Sequence, residues 1–324
     1  MFNDELIGRA IERVRTRDLT SDYAHAPLAP MLDRMQAQLT AANVRRVWDH
    51  PSYRQVVAAM AAVGLPSETD NGVLNHALRD PLRFVMAIWA LGLSLTPGGL
   101  TYARFNGMLQ TVQAGSRTLT YALFGYLRFL GYIEPAPGGE DRRERRFQPS
   151  ALLRRALRDH IARGLQGIAA IDPVAGEIGQ RVSTEDRVFD EVARQCSDGM
   201  LATAMVERYA RPSPLNKLNR RRSGSAMLWA LLQAAPEVEP WPTAEPFAIS
   251  VADLARRSGV SRPHYMRMLR DGEAAGLLVL EPNGKVRLSP ELREQMNGLI
   301  AVNVITFGVT AQIVLEALGR QQAA

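Results

Sequence analysis

SVADLARRSGVSRPHYMRMLRDGEAAGLLVLEPNGKVRLSP, residues 250–290, is the stretch that decides how this 324-residue chain folds. Ser250 stands where a helix N-cap belongs, ahead of Val251, Leu254 and Ala255, because its hydroxyl can accept from an otherwise unpaired first-turn amide. Gly259 takes the left-handed conformation cheaply, which predicts a sharp turn there, with Val260 plugging the angle between two helices. Ser261 caps the second helix, Pro263 sits in its first turn where a missing N–H costs nothing, and Gly276 closes it fifteen residues after Ser261. Leu277 to Glu281 and Lys285 to Leu288 read as two strands around Pro282-Asn283-Gly284, and Asn-Gly is a strong hairpin signal. The order is helix, tight turn, helix, hairpin.

Helical spacing divides the second helix into two faces. Tyr265, Met268, Leu269 and Gly272 form the stripe expected to face the core, whereas Arg262, Pro263, Met266 and Arg267 lie on the other, with Ser261 and His264 in the opening turn. An arginine at the front of such a helix can bond bidentately to O6 and N7 of guanine in a major groove, worth about 1–3 kcal/mol of discrimination. The plain alternative is a solvated face. Arg270, followed by Asp271, suits a phosphate contact or a surface charge, and Lys285 and Arg287 on the hairpin are candidate phosphate contacts.

Ser116 to Gly131 repeats the frame: both segments begin Ser-Arg, and both reach their closing glycine fifteen residues on. Tyr132-Ile133-Glu134 follows as a strand, Pro135 to Glu144 as a longer loop, and Arg145 to Gln148 as the return strand. The preceding helix starts at Thr101, and the interval from Thr101 to Ser116 is four residues longer than that from Ser250 to Ser261, about one helical turn. Pro81 to Leu93 and Ser225 to Leu232 supply an earlier helix for each copy. In the upstream copy Thr120, Leu123, Phe124 and Leu127 are expected inside. Ser116, Arg117, Thr118, Leu119, Tyr121 and Ala122 face outward, a mostly apolar strip that suits thymine methyls or a protein contact. The loop carries Arg142, Arg143, Arg145 and Arg146, interrupted by Asp141 and Glu144, a tip suited to phosphates or a minor groove unless it is only solvated.

With its Ser-Arg starts, the spacing to glycine and the following hairpins, the chain resembles bacterial winged helix-turn-helix transcription regulators, nearest in layout to the multiple-antibiotic-resistance (MarR) type. The resemblance covers about Pro81 to His160 and Ser225 to Leu292. It implies a mostly α fold in which tandem winged helix-turn-helix domains, with small β-hairpin wings, are joined by scaffold and dimerisation helices. Proteins of this type usually hold one such module and dimerise through terminal helices, so two modules in one chain depart from the pattern.

The composition fits a globular protein: 46 % hydrophobic residues, a net charge of +6 and enough length for two cores. A pI near 9.8 favours polyanionic partners only weakly. The distribution of charge says more. From Arg208 to Pro236 there is no acidic residue, while Arg208, Arg211, Lys217, Arg220, Arg221 and Arg222 cluster among prolines and asparagines, which reads as an extended basic arm able to follow phosphates or as a solvated linker. The single cysteine, Cys196, rules out an intrachain disulfide and suits a cytoplasmic location. Met1 to Asp18 reads as an amphipathic helix rather than a secretory signal, with acids at Asp4, Glu5 and Glu12. Met296 to Leu315 is free of charge for twenty residues, yet Asn297, Asn303, Thr306, Thr310 and Gln312 favour a helix buried in protein over a membrane span. Asp4 to Arg17, Pro30 to Thr40, Val44 to Val63 and Thr184 to Tyr209 show helical periodicity and read as scaffold.

Signals for catalysis and cofactors are lacking. The five histidines, at 25, 50, 76, 160 and 264, have no partner at metal-ligand spacing; Gly98-Gly99 and Gly138-Gly139 lack the context of a phosphate loop; and no Gly-x-Ser-x-Gly elbow occurs. The expected division is an N-terminal helical region 1–80, a first module 81–163, connecting helices 164–210, a basic arm 211–224, a second module 225–292 and a C-terminal helix 293–324. The expected function is sequence-specific regulation of transcription by a non-enzymatic homodimer on double-stranded DNA, with the Ser261–Ala275 helix as reader and without a cofactor, metal or membrane. Two alternatives stay open: a plasmid-type replication initiator, which also uses paired winged helices, and a scaffold whose modules contact proteins.

Overall fold

The computed structural model describes residues 12, 23–24, 28–65, 81–113, 116–137, 145–209, 214–219, 221, 223–238 and 241–322. Among the described residues the elements begin, in chain order, with α1 (Leu28–Gln38), α2 (Ala41–Trp48), α3 (Tyr53–Gly64) and α4 (Pro81–Ser94). Then come β1 (Leu100–Thr101), α5 (Tyr102–Thr111), α6 (Arg117–Phe129), β2 (Ile133–Pro135) and β3 (Arg146–Pro149). Four helices follow, α7 (Ala151–Gly167), α8 (Pro173–Thr184), α9 (Asp186–Tyr209) and α10 (Pro214–Asn219). The last elements are α11 (Gly224–Ala234), β4 (Phe247–Ala248), α12 (Val251–Arg257), α13 (Arg262–Ala274), β5 (Leu278–Leu280), β6 (Lys285–Leu288) and α14 (Pro290–Gln322). The chain is mostly helical, with two small antiparallel three-stranded sheets among the described residues.

The same element order, helix, strand, two helices, two strands, runs from α4 to β3 and again from α11 to β6. Strand order is also shared. In each sheet the last strand lies in the middle, β1-β3-β2 and β4-β6-β5, and every pairing is antiparallel. The repeat extends to single hydrogen bonds: the Ser150 amide donates to Tyr132 O at 2.8 Å and the Ser289 amide to Leu277 O at 2.9 Å. Both serines then cap the next helix, accepting from Leu153 N and Leu292 N.

Local chemistry accounts for these elements. Thr101, Ser116, Ser250 and Ser261 accept from the amides of Arg104, Leu119, Asp253 and His264, each meeting a first-turn donor that has no partner within its helix. Gly259, Gly276 and Gly131 take φ of 63°, 71° and 69° where their helices end. The residues from 44 to 63, which read as one helix, form parts of two, because Pro51 cannot donate into a continuous ladder and Ser52 starts α3 afresh.

The described residues gather into two units that do not follow chain order: those within Val44–Pro81 and Pro212–Asn303, and those within Asn3–Asn43, Leu82–Arg211 and Val304–Ala324. In the unit holding α13, unit 1, the core contains Met227, Leu231, Leu254, Tyr265, Leu269, Leu277 and Val286. Tyr53 donates to Asn297 Oδ1 at 3.0 Å, both buried. In the other, unit 2, Trp89, Phe105, Phe124, Leu157 and Phe189 are buried, and α7 and α8 pack so closely that a Cβ on Gly179 would come within 2.9 Å of the Gln166 amide nitrogen. Among the described residues one helix, Pro290–Arg320, is long and apolar enough to cross a membrane by length and composition. Met296, Ile300, Val304, Val309, Val314 and Leu318 along it are buried inside the protein.

Candidate nucleic-acid interface

On α13 the structure separates the two faces as the spacing predicts. Tyr265, Met268, Leu269 and Gly272 are buried, whereas Ser261, Arg262, Pro263, Arg267 and Arg270 are exposed. His264 and Met266 are half-buried, so they edge the face rather than lead it. Tyr265 fixes the helix from below. Its hydroxyl donates to Met227 O at 2.9 Å, and burial pushes the phenol pKa well above its ordinary value, keeping it a neutral donor. Three arginines therefore project from a helix anchored by a buried tyrosine and a capped N-terminus.

The hairpin beside it closes on Asn283-Gly284, with Gly284 at φ 77° and Glu281 N donating to Lys285 O at 2.9 Å. Lys285 and Arg287 are both exposed, but Arg287 is paired with Glu281 at 2.9 Å, which leaves Lys285 as the less neutralised of the two.

The basic arm differs from the extended segment expected. Residues 214–219 form α10, because Leu215 and Leu218 bury their side chains, and the backbone of Leu218 runs directly against Gly224. Lys217 is left exposed on the outside. Arg221, also exposed, is ion-paired with Asp271 of α13. Sequence reasoning missed that pair, which joins residues fifty positions apart. Arg220 and Arg222 lie outside the described residues, as do Arg142, Arg143, Arg211 and the Met1–Asp18 helix apart from Glu12.

In unit 2 the corresponding helix, α6, exposes Ser116, Arg117, Thr118, Leu119, Tyr121 and Ala122 and buries Thr120, Phe124 and Leu127; Leu123 is half-buried. Tyr121 meets Tyr102 edge-on at 5.9 Å, and Arg128 sits over the Phe147 ring at 5.1 Å. Arg145 and Arg146 are exposed. Gly125 and Phe129, which no sequence expectation included, are exposed too; they follow Tyr121 at four and eight residues, a helical spacing that was the signal for them.

Other chemistry has little support. Among the described residues no group of three or more His, Cys, Asp or Glu converges to hold a metal ion. Cys196 is buried in α9, and burial pushes its thiol up to about 12. Comparison with family models, curated proteins and solved structures finds no match for this chain.

Proposed function

We propose that the chain is a DNA-binding regulator of transcription built from two winged helix-turn-helix modules in tandem, similar in layout to the MarR type. The observation that carries this reading is the repeated helix, strand, helix, helix, strand, strand order with the last strand central, in which the second copy turns Arg262, Arg267 and Arg270 outward. On this reading the N-terminal half of α13 enters the major groove, where Arg262 and Arg267 bond to guanine edges. Lys285 on the wing, Lys217 and Arg270 meet phosphates and set the register. The protein acts in the cytoplasm as a homodimer, without a cofactor or a catalytic step.

Selection from a randomised duplex library tests this. The purified chain should enrich one motif, and Arg262→Ala with Arg267→Ala should lose that motif while still retarding DNA at low salt. Failure of the unaltered chain to bind any duplex at low ionic strength ends the proposal. A second reading, a replication initiator, is favoured by the unequal outer faces of α6 and α13, one carrying exposed Leu119 and Tyr121 and the other three exposed arginines. Recovery of tandemly repeated motifs at an origin, instead of single sites at promoters, would select it.

A further inference from the structure

Arg117, Tyr121, Gly125 and Phe129 succeed one another four apart along α6, so they form a single ridge of the helix. All four are exposed, Tyr121 by 72 % and Phe129 by 86 %, values far outside what burial of an aromatic ring demands. Among the described residues nothing lies within 4 Å of the place a Cβ on Gly125 would take. The ridge thus has an open notch between two aromatic side chains, whose Cα atoms stand about 12 Å apart along the axis at 1.5 Å per residue. Arg117 begins the ridge and exposed Arg128 flanks its end. From Pro81 to Ile133, across α4, β1, α5 and α6, the sequence contains no acidic residue, so no carboxylate of those elements offsets the arginines.

We propose that this ridge binds single-stranded DNA, with bases stacking on Tyr121 and Phe129, the notch at Gly125 admitting a base between them, and Arg117 and Arg128 meeting phosphates. Interleaved cations and aromatic rings fit a strand whose every unit presents a flat base and a charge, and stacking of that kind tolerates any sequence. A duplex fits less well, because its stacked base faces are hidden and its major groove offers the rings only thymine methyls. Self-pairing of the same face fits worse, since it would set arginine against arginine with no acid between. The inference goes beyond duplex reading by α13 and does not depend on it.

Fluorescence anisotropy of a labelled oligothymidylate, titrated with the full chain at low ionic strength, is the test. The chain should bind it; Tyr121→Ala with Phe129→Ala should weaken binding about tenfold or more. Gly125→Leu should also weaken it by filling the notch, although leucine favours the helix. Duplex retardation should persist in these variants, and Arg262→Ala with Arg267→Ala should leave oligothymidylate binding intact, so that failure of either assignment is visible separately. Three results would overturn the inference: no oligothymidylate binding by the unaltered chain, equal binding by the variants, or capture at this ridge of a labelled acidic amphipathic peptide or anionic vesicles in place of oligothymidylate.

Discussion

The Tyr265 hydroxyl donates to the backbone carbonyl of Met227 across 2.9 Å, tying α13 to α11 inside the core of unit 1. The bond joins the outward-facing arginine helix to the helix that opens its own repeat. Tyr265→Phe keeps the buried ring and removes only the donor, so it should cost about 0.5–1.5 kcal/mol of stability. Urea denaturation with an unchanged m-value would show it, and a cost of zero would mean the bond contributes nothing net.

Arg262 and Arg267 stand exposed on the same helix, one turn and a little more apart. Replacing each with Ala should remove about 1–3 kcal/mol of discrimination per lost bidentate base contact. The measurement is the ratio of affinities for the selected motif and a scrambled duplex. A ratio unchanged in the double variant would remove both residues from base reading.

Asp271 neutralises Arg221, so one cation of the basic arm is spent within the protein. Asp271→Asn should release it, strengthening nonspecific duplex binding and steepening the plot of log affinity against log salt by about 0.9. Because the two side chains are substantially exposed, the stability change should stay within about 1 kcal/mol. An unchanged salt slope would show that Arg221 does not reach a phosphate.

Arg34 and Glu316 form a two-pronged pair in unit 2, Nη1 to Oε1 at 2.8 Å and Nη2 to Oε2 at 2.6 Å. The hydrogen bond and the adjacent guanidinium hold the Glu316 carboxyl below its ordinary pKa. A depressed carboxylate contributes stability above its unfolded pKa and loses it as pH falls through the folded one. Glu316→Gln should therefore destabilise by less than about 1 kcal/mol at neutral pH, the pair being largely exposed, and the difference should fade in acid, vanishing only below the depressed pKa of the folded carboxyl. Paired denaturation curves at neutral pH and in acid check both sign and window.

Much of each repeat was legible because its determinants are local. Ser116, Ser250 and Ser261 cap helices through amides three residues on, and Gly131, Gly259 and Gly276 turn the chain with their own positive φ. The strands Leu100–Thr101 and Phe247–Ala248 were not, since two residues carry no alternation and each exists only because β3 or β6 offers it an edge. The arm around Lys217 read as extended from its prolines and charges, yet Leu215 and Leu218 found apolar surface to cover. Of the candidate interface, the outward arginines followed from helical spacing alone. The Arg221–Asp271 pair depends on tertiary approach and leaves no periodic trace.

The lone thiol sequestered at Cys196 makes the molecule convenient to instrument. Maleimide dyes applied near neutrality should ignore it and modify only a cysteine engineered on the surface, for instance at Thr118 or Ala122. Every distance or polarity reading taken from such a reporter would then come from one known place, with no need to strip the native residue first.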